Sequence, residues 1–383
     1  MEIALDALMH LSADRGAWDE VERHGKALAE LSAEARLFVT PWVGARIDMA
    51  EGRLGEALKR LQAMPIGSLP PEKQLEVLGL EAELRVCQQQ IGEAEAAIGI
   101  YQDLAHRMGD QAASTHAALL RAVLAREAQQ PEMALSLARQ LATALGDEQR
   151  YRIDGRIAYE LARGHLEFGW FQTAKEHAEE ARVLGQRDGD RETVLAASML
   201  QARIAALSGE SDKAWQLIGE AADATDGASR LSLRELELAQ LEIALAARRG
   251  PTPARIVELG RRLANASEHE GLRGLVVRGL VLSARAATLA GLGAEALAAA
   301  ELALERSTAW GGIGLPRHQI LFVLARARFT RREGFRARRL LGQARSQLRS
   351  SARRFTDPAQ RTAFLEEPYN AMIEAGDLTA VGP

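Results

Sequence analysis

Arginine recurs at one position of a repeated pattern, and its side chain could bind carboxylate or phosphate groups. The position holds arginine in five repeats, namely Arg46, Arg163, Arg203, Arg285 and Arg326, whereas Glu83, Val123 and Leu245 interrupt the series. The arginine content of the chain would place roughly one arginine at any chosen repeat position. A guanidinium presents its N–H donors in a planar fork that matches two oxygens of a carboxylate or phosphate. The series therefore predicts an interrupted row of anion-binding side chains.

Four positions before these arginines the sequence has apolar or aromatic residues, which are Trp42, Tyr159, Met199, Val281 and Phe322. Residues four apart share one face of a helix, so these side chains could give a ligand apolar contacts beside the charges. Two alternatives stay open. The apolar residues are also typical of packing between helices, and the arginines are also typical of ion pairs with acidic side chains of adjacent repeats.

A repeat of about forty residues predicts the helices that carry these side chains. Nine times, a residue that is usually alanine is followed by a second one twelve positions later, with a turn between them that often contains Gly. The landmark pairs are Met9/Val21, Ala45/Ala57, Ala82/Ala94, Ala122/Ala134, Ala162/Ala174, Ala202/Ala214, Ala244/Ile256, Ala284/Ala296 and Ala325/Ala337. Each pair predicts a helix–turn–helix unit. Nine stacked units predict an all-α, right-handed superhelical solenoid.

The repeats predict one elongated array over residues 1–350, followed by a capping helix and tail over residues 351–383. The segment Thr356-Asp357-Pro358 is typical of a helix start, with a side chain that can cap the first turn and a proline suited to the first helical position. We expect a single helix from there to about Ala375, lying over the last repeat.

The pair of small residues in each repeat resembles that of tetratricopeptide repeats, although the usual period of that family is about 34 residues. The longer period is more similar to the helical-repeat regions of maltose-activator-type regulators. The segment 357–365 resembles the tail that follows repeat arrays in large bacterial signalling proteins. The resemblance implies that the arginine position faces the inner, concave surface. It also implies a module that recognises a protein or peptide, as the sensor or scaffold part of a bacterial signalling or regulatory system.

A second charged region lies near the C-terminus. From Arg317 to Arg354 there are twelve arginines and one acid, Glu333, and the candidate basic patch consists of Arg331, Arg332, Arg338 and Arg339. Such a patch could attract phosphate backbones, although no recognised nucleic-acid motif accompanies it. Nucleic-acid binding is therefore an alternative to recognition of a protein or peptide, for which acidic partners would suit the arginines. A small-molecule effector inside the superhelix is a third hypothesis.

Residue patterns for catalysis or cofactor binding are missing from the sequence. The only Gly-Lys pair, Gly25-Lys26, is followed by Ala27, so it does not complete a phosphate-binding loop. The eight histidines lack zinc-ligand spacing, although His165 and His177 flank one turn and could approach each other. We predict a protein that is not an enzyme and that holds no cofactor or metal.

Targeting and membrane signals are also missing. No apolar stretch approaches the roughly 20 residues that span a bilayer. The first six residues include two acids, where a signal peptide would carry positive charge. The single cysteine, Cys87, excludes an internal disulfide and is typical of a small core residue. We expect a cytoplasmic protein without a membrane partner.

Overall fold

The computed structural model describes residues 17–31, 33–144 and 153–379, together with residues 5, 8, 9 and 12. Within these ranges the chain forms nineteen α-helices and one 3-10 helix, Ile66–Ser68, and no strand. The predicted all-α class is confirmed. None of the described helices is both long and apolar enough to cross a bilayer.

The helices are numbered here in chain order. They are α1 Trp18–Leu31, α2 Ala33–Ala50, α3 Leu54–Gln62, α4 Pro71–Cys87, α5 Ile91–Met108, α6 Gln111–Glu127, α7 Pro131–Ala144, α8 Asp154–Glu167, α9 Phe171–Asp188, α10 Arg191–Leu207, α11 Ser211–Asp223, α12 Arg230–Ala247, α13 Pro253–His269, α14 Arg273–Leu289, α15 Gly293–Ala309, α16 Arg317–Thr330, α17 Gly334–Ala352, α18 Pro358–Glu366 and α19 Pro368–Ala375.

The landmark residues lie where the two helices of each repeat meet. Helix α1 is the second helix of the first repeat, and α2 to α17 form eight further pairs. All eighteen landmark residues are buried, with at most 6 % of their surface exposed. A small side chain at each crossing lets the paired helices pack closely, which is why the sequence repeats it. The solenoid fold is therefore confirmed.

A leucine at such a crossing should destabilise the array. Ala202 in α10 and Ala214 in α11 form one landmark pair, and both are 0 % exposed. We expect Ala202→Leu and Ala214→Leu each to lower the free energy of unfolding by about 1–3 kcal/mol, because extra volume in a packed core forces neighbours apart. The control is Ala298→Leu at an exposed position of α15. Chemical denaturation that gave all three variants the same stability would contradict the assignment of these crossings.

The turn within each pair requires one residue in the left-handed region of backbone space. Gly209, between α10 and α11, has φ 80°, a conformation that glycine adopts without steric cost. In the repeat formed by α6 and α7, Gln129 takes the same place with φ 59°. The turn geometry therefore persists where glycine is missing. The Gly146-Asp147 pair also predicts a link between two repeats, but these residues lie outside the described residues.

The first helices of the repeats form the inner layer of the solenoid. Each of α2, α4, α6, α8, α10, α12 and α14 contacts the first helix of the next repeat. The array bends far enough for distant repeats to touch, since α2 also contacts α12. In addition, the backbone N–H of Gly274 donates a hydrogen bond to the side chain of Gln89, 185 residues earlier. The described repeats thus curve far enough for the second repeat to touch the seventh and the third to touch the eighth, and this turn of the superhelix is called the ring below.

The C-terminal segment completes this ring. The rings of Phe168 and Phe355 lie 5.0 Å apart, and the Thr356 hydroxyl donates to the Glu132 carboxylate over 3.3 Å. Both contacts join the segment after α17 to repeats near the middle of the chain. Helices α18 and α19 also pack on α17, and α19 packs on α16.

The single helix expected after Thr356 is in fact two helices. The start was predicted correctly, because the Asp357 carboxylate accepts a hydrogen bond from the backbone N–H of Ala359 at 2.8 Å. The expected continuation to Ala375 was wrong, because α18 ends at Glu366 and α19 begins at Pro368. A residue before proline is disfavoured in the helical region, and Glu367 is extended, with φ −51° and ψ 133°.

Candidate functional site

The ring encloses a chamber of about 580 Å³. Its wall is formed by the C-terminal ends of α6, α8 and α10, by the first turns of α12 and α14, and by the C-terminal segment. The charged residues of the first helices that line it are Arg126, Glu127, Arg163, Glu167, Arg203, Glu235, Arg278 and Arg317, and the C-terminal segment adds Arg354 and Glu367. Apolar side chains between them include Leu166, Leu207, Leu275, Leu315 and Phe364. The chamber therefore offers both signs of charge and apolar surface.

Ion pairs connect consecutive first helices along this wall. Each joins an arginine of one repeat to a glutamate of the next or the preceding repeat. The pairs are Arg126–Glu160 at 2.9 Å, Arg203–Glu242 at 2.5 Å and Arg278–Glu235 at 2.8 Å. The sequence left open the alternative that the arginines of the row form ion pairs with adjacent repeats. Arg203 does form such a pair, and Arg126 and Arg278, which lie outside the row, form similar pairs.

Burial and neighbouring charges act in opposite directions on the pKa values of this wall. Burial alone would raise the pKa of the Glu235 carboxyl, but the charges of Arg278 and Arg203 hold that pKa below its usual range. Burial would likewise lower the pKa of the Arg126 guanidinium, yet Glu160 and Glu127 raise it well above its ordinary value. Opposite charges therefore outweigh desolvation at Glu235 and Arg126, whereas burial and the charge of Arg278 lower the pKa of the Arg203 guanidinium.

Arg163 differs from the three arginines that α6, α10 and α14 contribute to the wall. Its guanidinium donates a hydrogen bond to the Tyr159 hydroxyl over 3.2 Å and lies 6.0 Å from the centre of that ring. No described carboxylate lies within 4.0 Å of it. One helical turn further on, burial raises the pKa of the Glu167 carboxyl to about 7, although Arg163 and Arg126 act to lower it. The gap in the row of ion pairs therefore faces the chamber beside a carboxyl that titrates near neutrality.

The row of arginines predicted from the sequence divides between several environments. Arg163 and Arg203 line the chamber. Arg46 lies 3.6 Å from Glu83 and 5.5 Å from the centre of the Trp42 ring. Glu83 is the residue that interrupts the arginine series one repeat later, so in the structure this interruption supplies a partner for the preceding arginine.

The two remaining arginines of the row lie beneath helix α19. Arg285 sits 5.6 Å from the centre of the Tyr369 ring. Arg326 is 5 % exposed, and burial lowers the pKa of its guanidinium. Phe322, which precedes Arg326 by one turn, packs edge-on against Tyr369 with ring centres 5.7 Å apart. The C-terminal helix thus covers this part of the inner surface.

The predicted apolar contacts are mostly core residues. Trp42, Met199 and Phe322 are at most 7 % exposed, as expected for side chains that pack between helices. Tyr159 is only partly buried and lies beside Arg163. Binding through these side chains and through the arginine row stays a prediction, and Tyr159 is hydrogen-bonded to Arg163 of the chamber wall.

Sequence reasoning missed Arg126, Arg278 and Glu167. Arg126 follows the landmark Ala122 by four positions, and Arg278 precedes Ala284 by six. They reach one chamber because the superhelical twist shifts the exposed part of the wall along successive helices. Arg163 and Arg203 share one repeat position, but Arg126 and Arg278 each occupy a different one, so the repeat pattern held no signal for the latter two.

The predicted basic patch is separate from the chamber. Arg331, Arg332, Arg338 and Arg339 are exposed, and none of them lines the cavity. The Arg331 side chain donates to Glu333 over 3.0 Å, whereas the other three have no ion pair among the described residues. Phe335, at the start of α17, is 83 % exposed beside them. The patch thus forms a second surface, on which exposed arginines lie beside an exposed aromatic ring.

The two histidines that flank one turn do approach each other. The rings of His165 and His177 are 5.1 Å apart, and the Arg139 guanidinium lies 3.1 Å from His165 Nε2. Burial lowers the pKa of His165 to about 4. Over the described ranges, no group of three potential ligands that could hold a metal ion is found.

No protein-family model and no curated protein matches the chain. Solved structures with similar folds exist. A Rap protein complexed with Competence and Sporulation Factor is 9% identical, with a TM-score of 0.54, over 88% of this chain and 96% of that one. The chain is a tetratricopeptide-like helical-repeat solenoid. Aspartyl phosphate phosphatase F from Bacillus subtilis is also similar, at 11% identity and a TM-score of 0.50 over 88% of this solenoid and 91% of that chain. Identities this low show the fold alone.

The two kinds of arginine on the chamber wall should respond differently to substitution. Arg126→Gln leaves Glu160, which is 7 % exposed, without its ion-pair partner. We expect it to lower the free energy of unfolding by about 1–3 kcal/mol, because a buried charge is left unsatisfied. Arg163→Gln removes no ion pair and should cost less than about 0.5 kcal/mol. Urea denaturation of both variants checks this, and a loss at Arg163 equal to that at Arg126 would contradict the distinction.

Proposed function

We propose that the chain is a cytoplasmic, non-catalytic recognition module of a bacterial signalling or regulatory system, and that it binds a short peptide in the chamber. The peptide is either free or a segment of a partner protein. The observation that carries the proposal is the wall of the chamber, where arginines and glutamates alternate with leucine and phenylalanine side chains. A peptide presents charges of both signs and apolar side chains, so it complements such a wall. The volume also lies in the range of ligand pockets, about 300–1,000 Å³.

A solved structure of similar fold supports this proposal. The similar Rap protein was solved in complex with Competence and Sporulation Factor, so a solenoid of this general shape can hold a partner. A small-molecule effector in the same chamber is the second candidate, because the enclosed volume would suit it. Nucleic-acid binding would instead involve the basic patch, which lies elsewhere on the molecule.

A variant that fills the chamber tests the proposal. Leu207, the last residue of α10, is partly exposed on the chamber wall. Leu207→Trp should block the cavity while leaving the packed core unchanged. Val183→Trp is the matched control, because Val183 is 50 % exposed on α9 and does not line the cavity. The assay is affinity selection of short synthetic peptides, read by mass spectrometry.

The expected result is that the unmodified chain and Val183→Trp retain the same peptides, and that Leu207→Trp binds them at least about tenfold more weakly. Circular dichroism establishes that both variants keep their helical content. Peptides that bind Leu207→Trp and the unmodified chain equally would place the site outside the chamber. A library from which nothing is retained would contradict peptide binding itself.

The non-catalytic part of the proposal has its own test. One protein of similar fold is named an aspartyl phosphate phosphatase, so hydrolysis of an aspartyl phosphate is the activity to assay. We expect no acceleration by this chain of phosphate release from a protein that carries an aspartyl phosphate. Turnover that is lost in Leu207→Trp would show that the chamber is catalytic and would overturn this part of the proposal.

A further inference from the structure

One of the arginines that α6, α8, α10 and α14 contribute to the chamber wall, Arg163, has no carboxylate partner among the described residues. In the described part of the wall, Arg126, Arg203 and Arg278 each have a glutamate within 2.9 Å. Arg163 lies between Arg126 and Arg203 in the stack of first helices, and its hydrogen bond is to the neutral hydroxyl of Tyr159. A guanidinium forms its strongest hydrogen bonds with an anionic oxygen pair. Its remaining N–H groups are thus available to a ligand in the cavity that it lines.

From this geometry we infer that Arg163 is the subsite for an anionic group of the ligand, a carboxylate or a phosphate, and that Glu167 takes up a proton when this group binds. The inference rests on the proposed function, since it names the chemistry that the chamber ligand must carry. Glu167 is one helical turn from Arg163 and lines the same cavity. An anion placed at Arg163 therefore comes close to the Glu167 carboxyl.

The charged groups around Glu167 determine the sign of this coupling. They are Arg163 and Glu160 on α8, and Arg126 and Glu127 on α6. Glu160 and Glu127 both form ion pairs with Arg126. The positive charge of Arg126 is therefore largely neutralised, and little positive charge remains to oppose the effect of burial on Glu167. Burial raises the pKa of Glu167 to about 7. A ligand anion raises it further, because two negative charges in one cavity repel each other.

The consequence is an affinity that depends on pH. Below pH 7, Glu167 in the free protein is already protonated, and the anion binds without repulsion. Above pH 7, binding must first take up a proton, so the affinity falls by at most about tenfold for each pH unit. Between pH 6 and pH 8 the expected loss is about tenfold. Replacement of Glu167 by glutamine keeps the size of the protonated side chain and should remove this dependence.

The probes are sulfate and N-acetyl-trialanine with either a free or an amidated carboxyl group. None of them titrates between pH 6 and pH 8, so any pH dependence belongs to the protein. Binding is measured by isothermal titration calorimetry on the full chain. We expect the free acid or sulfate, and not the amide, to bind at pH 6 and to bind about tenfold more weakly at pH 8. Binding of the free acid alone identifies a peptide carboxylate, and binding of sulfate alone identifies a phosphate-like group.

Three variants decide the inference. Arg163→Gln should abolish binding of the probe at both pH values, Arg163→Lys should restore part of it, and Glu167→Gln should bind equally at pH 6 and pH 8. Undiminished binding to Arg163→Gln, or a pH dependence that persists in Glu167→Gln, would overturn it. So would the failure of both anionic probes to bind. If peptides selected by the chain still lose affinity in Leu207→Trp, the proposed function stands and only this inference fails.

Discussion

Phe168→Ala is expected to lower the free energy of unfolding by about 3–5 kcal/mol, the usual cost of truncating a buried phenylalanine. Phe168 is 0 % exposed, and its ring lies 5.5 Å from that of Trp170 and 5.0 Å from that of Phe355. The substitution removes both ring contacts and leaves a cavity between the middle of the array and the C-terminal segment. The closure of the ring should therefore weaken together with the core.

Two measurements separate these effects. Chemical denaturation gives the overall loss, and limited proteolysis reports on the segment that contains α18 and α19. We expect cleavage within that segment to be faster in Phe168→Ala. The control is Phe335→Ala, because Phe335 is 83 % exposed and its truncation should leave stability nearly unchanged. Equal stabilities for the two variants would show that the contact with Phe355 does not hold the ring closed.

Acid should destabilise the same segment through His318. This side chain is 3 % exposed, and its Nε2 atom lies 3.1 Å from Oδ1 of Asn370 in α19. Burial lowers the pKa of His318 from 6.5 to about 4, against the opposing effect of the hydrogen bond. The unfolded chain therefore binds the proton more readily. The contribution of neutral His318 to stability is complete above pH 6.5 and is lost as the pH falls from 6.5 towards 4.

The expected loss is about 1.4 kcal/mol for each pH unit in this range, or about 3 kcal/mol at pH 4. Other groups also titrate there, so the comparison is with His318→Gln, which retains an N–H donor for Asn370 and has no proton to gain. The stability difference between the unmodified chain and His318→Gln should shrink as the pH falls from 6.5 to 4. A difference that does not change with pH would contradict the lowered pKa of His318.

The fold could be predicted from the sequence because each repeat carries its own signal. A pair of helices that cross closely needs a small residue at the crossing, as at Ala202 and Ala214, and this need recurs with the repeat. The closure of the ring could not be predicted in this way. Contacts such as that between Gln89 and Gly274 depend on small rotations summed over many repeats, and no single repeat encodes that sum.

The helices of the C-terminal segment could be predicted only in part from the sequence. The capping residue Asp357 gave the start of α18, whereas Pro368 was overlooked as a stop. Proline restricts the residue before it, so the break at Glu367 follows from local sequence. The coverage of Arg285 and Arg326 by α19 follows from that break, because the chain turns there and places Tyr369 on the inner surface.

The chamber was harder to predict than the helices that form it. Arg46, Arg163 and Arg203 share one repeat position, yet only the last two line the cavity. Their places differ because each repeat is rotated with respect to the one before. The acid Glu83, at the same position one repeat after Arg46, was a readable sign of pairing. Arg126 and Arg278 also line the wall but come from other repeat positions, so a count of arginines at one position could not identify them.

We propose that the ligand binds in the chamber inside the ring. Hydrogen–deuterium exchange of the chain, with and without a peptide retained in the selection experiment, locates the bound peptide. We expect slower exchange at the ends of α6, α8 and α10, in residues 126–133, 163–167 and 203–207, and at the start of α14, in residues 274–278. Protection confined to residues 331–339 would place the ligand on the basic patch and would contradict the claim.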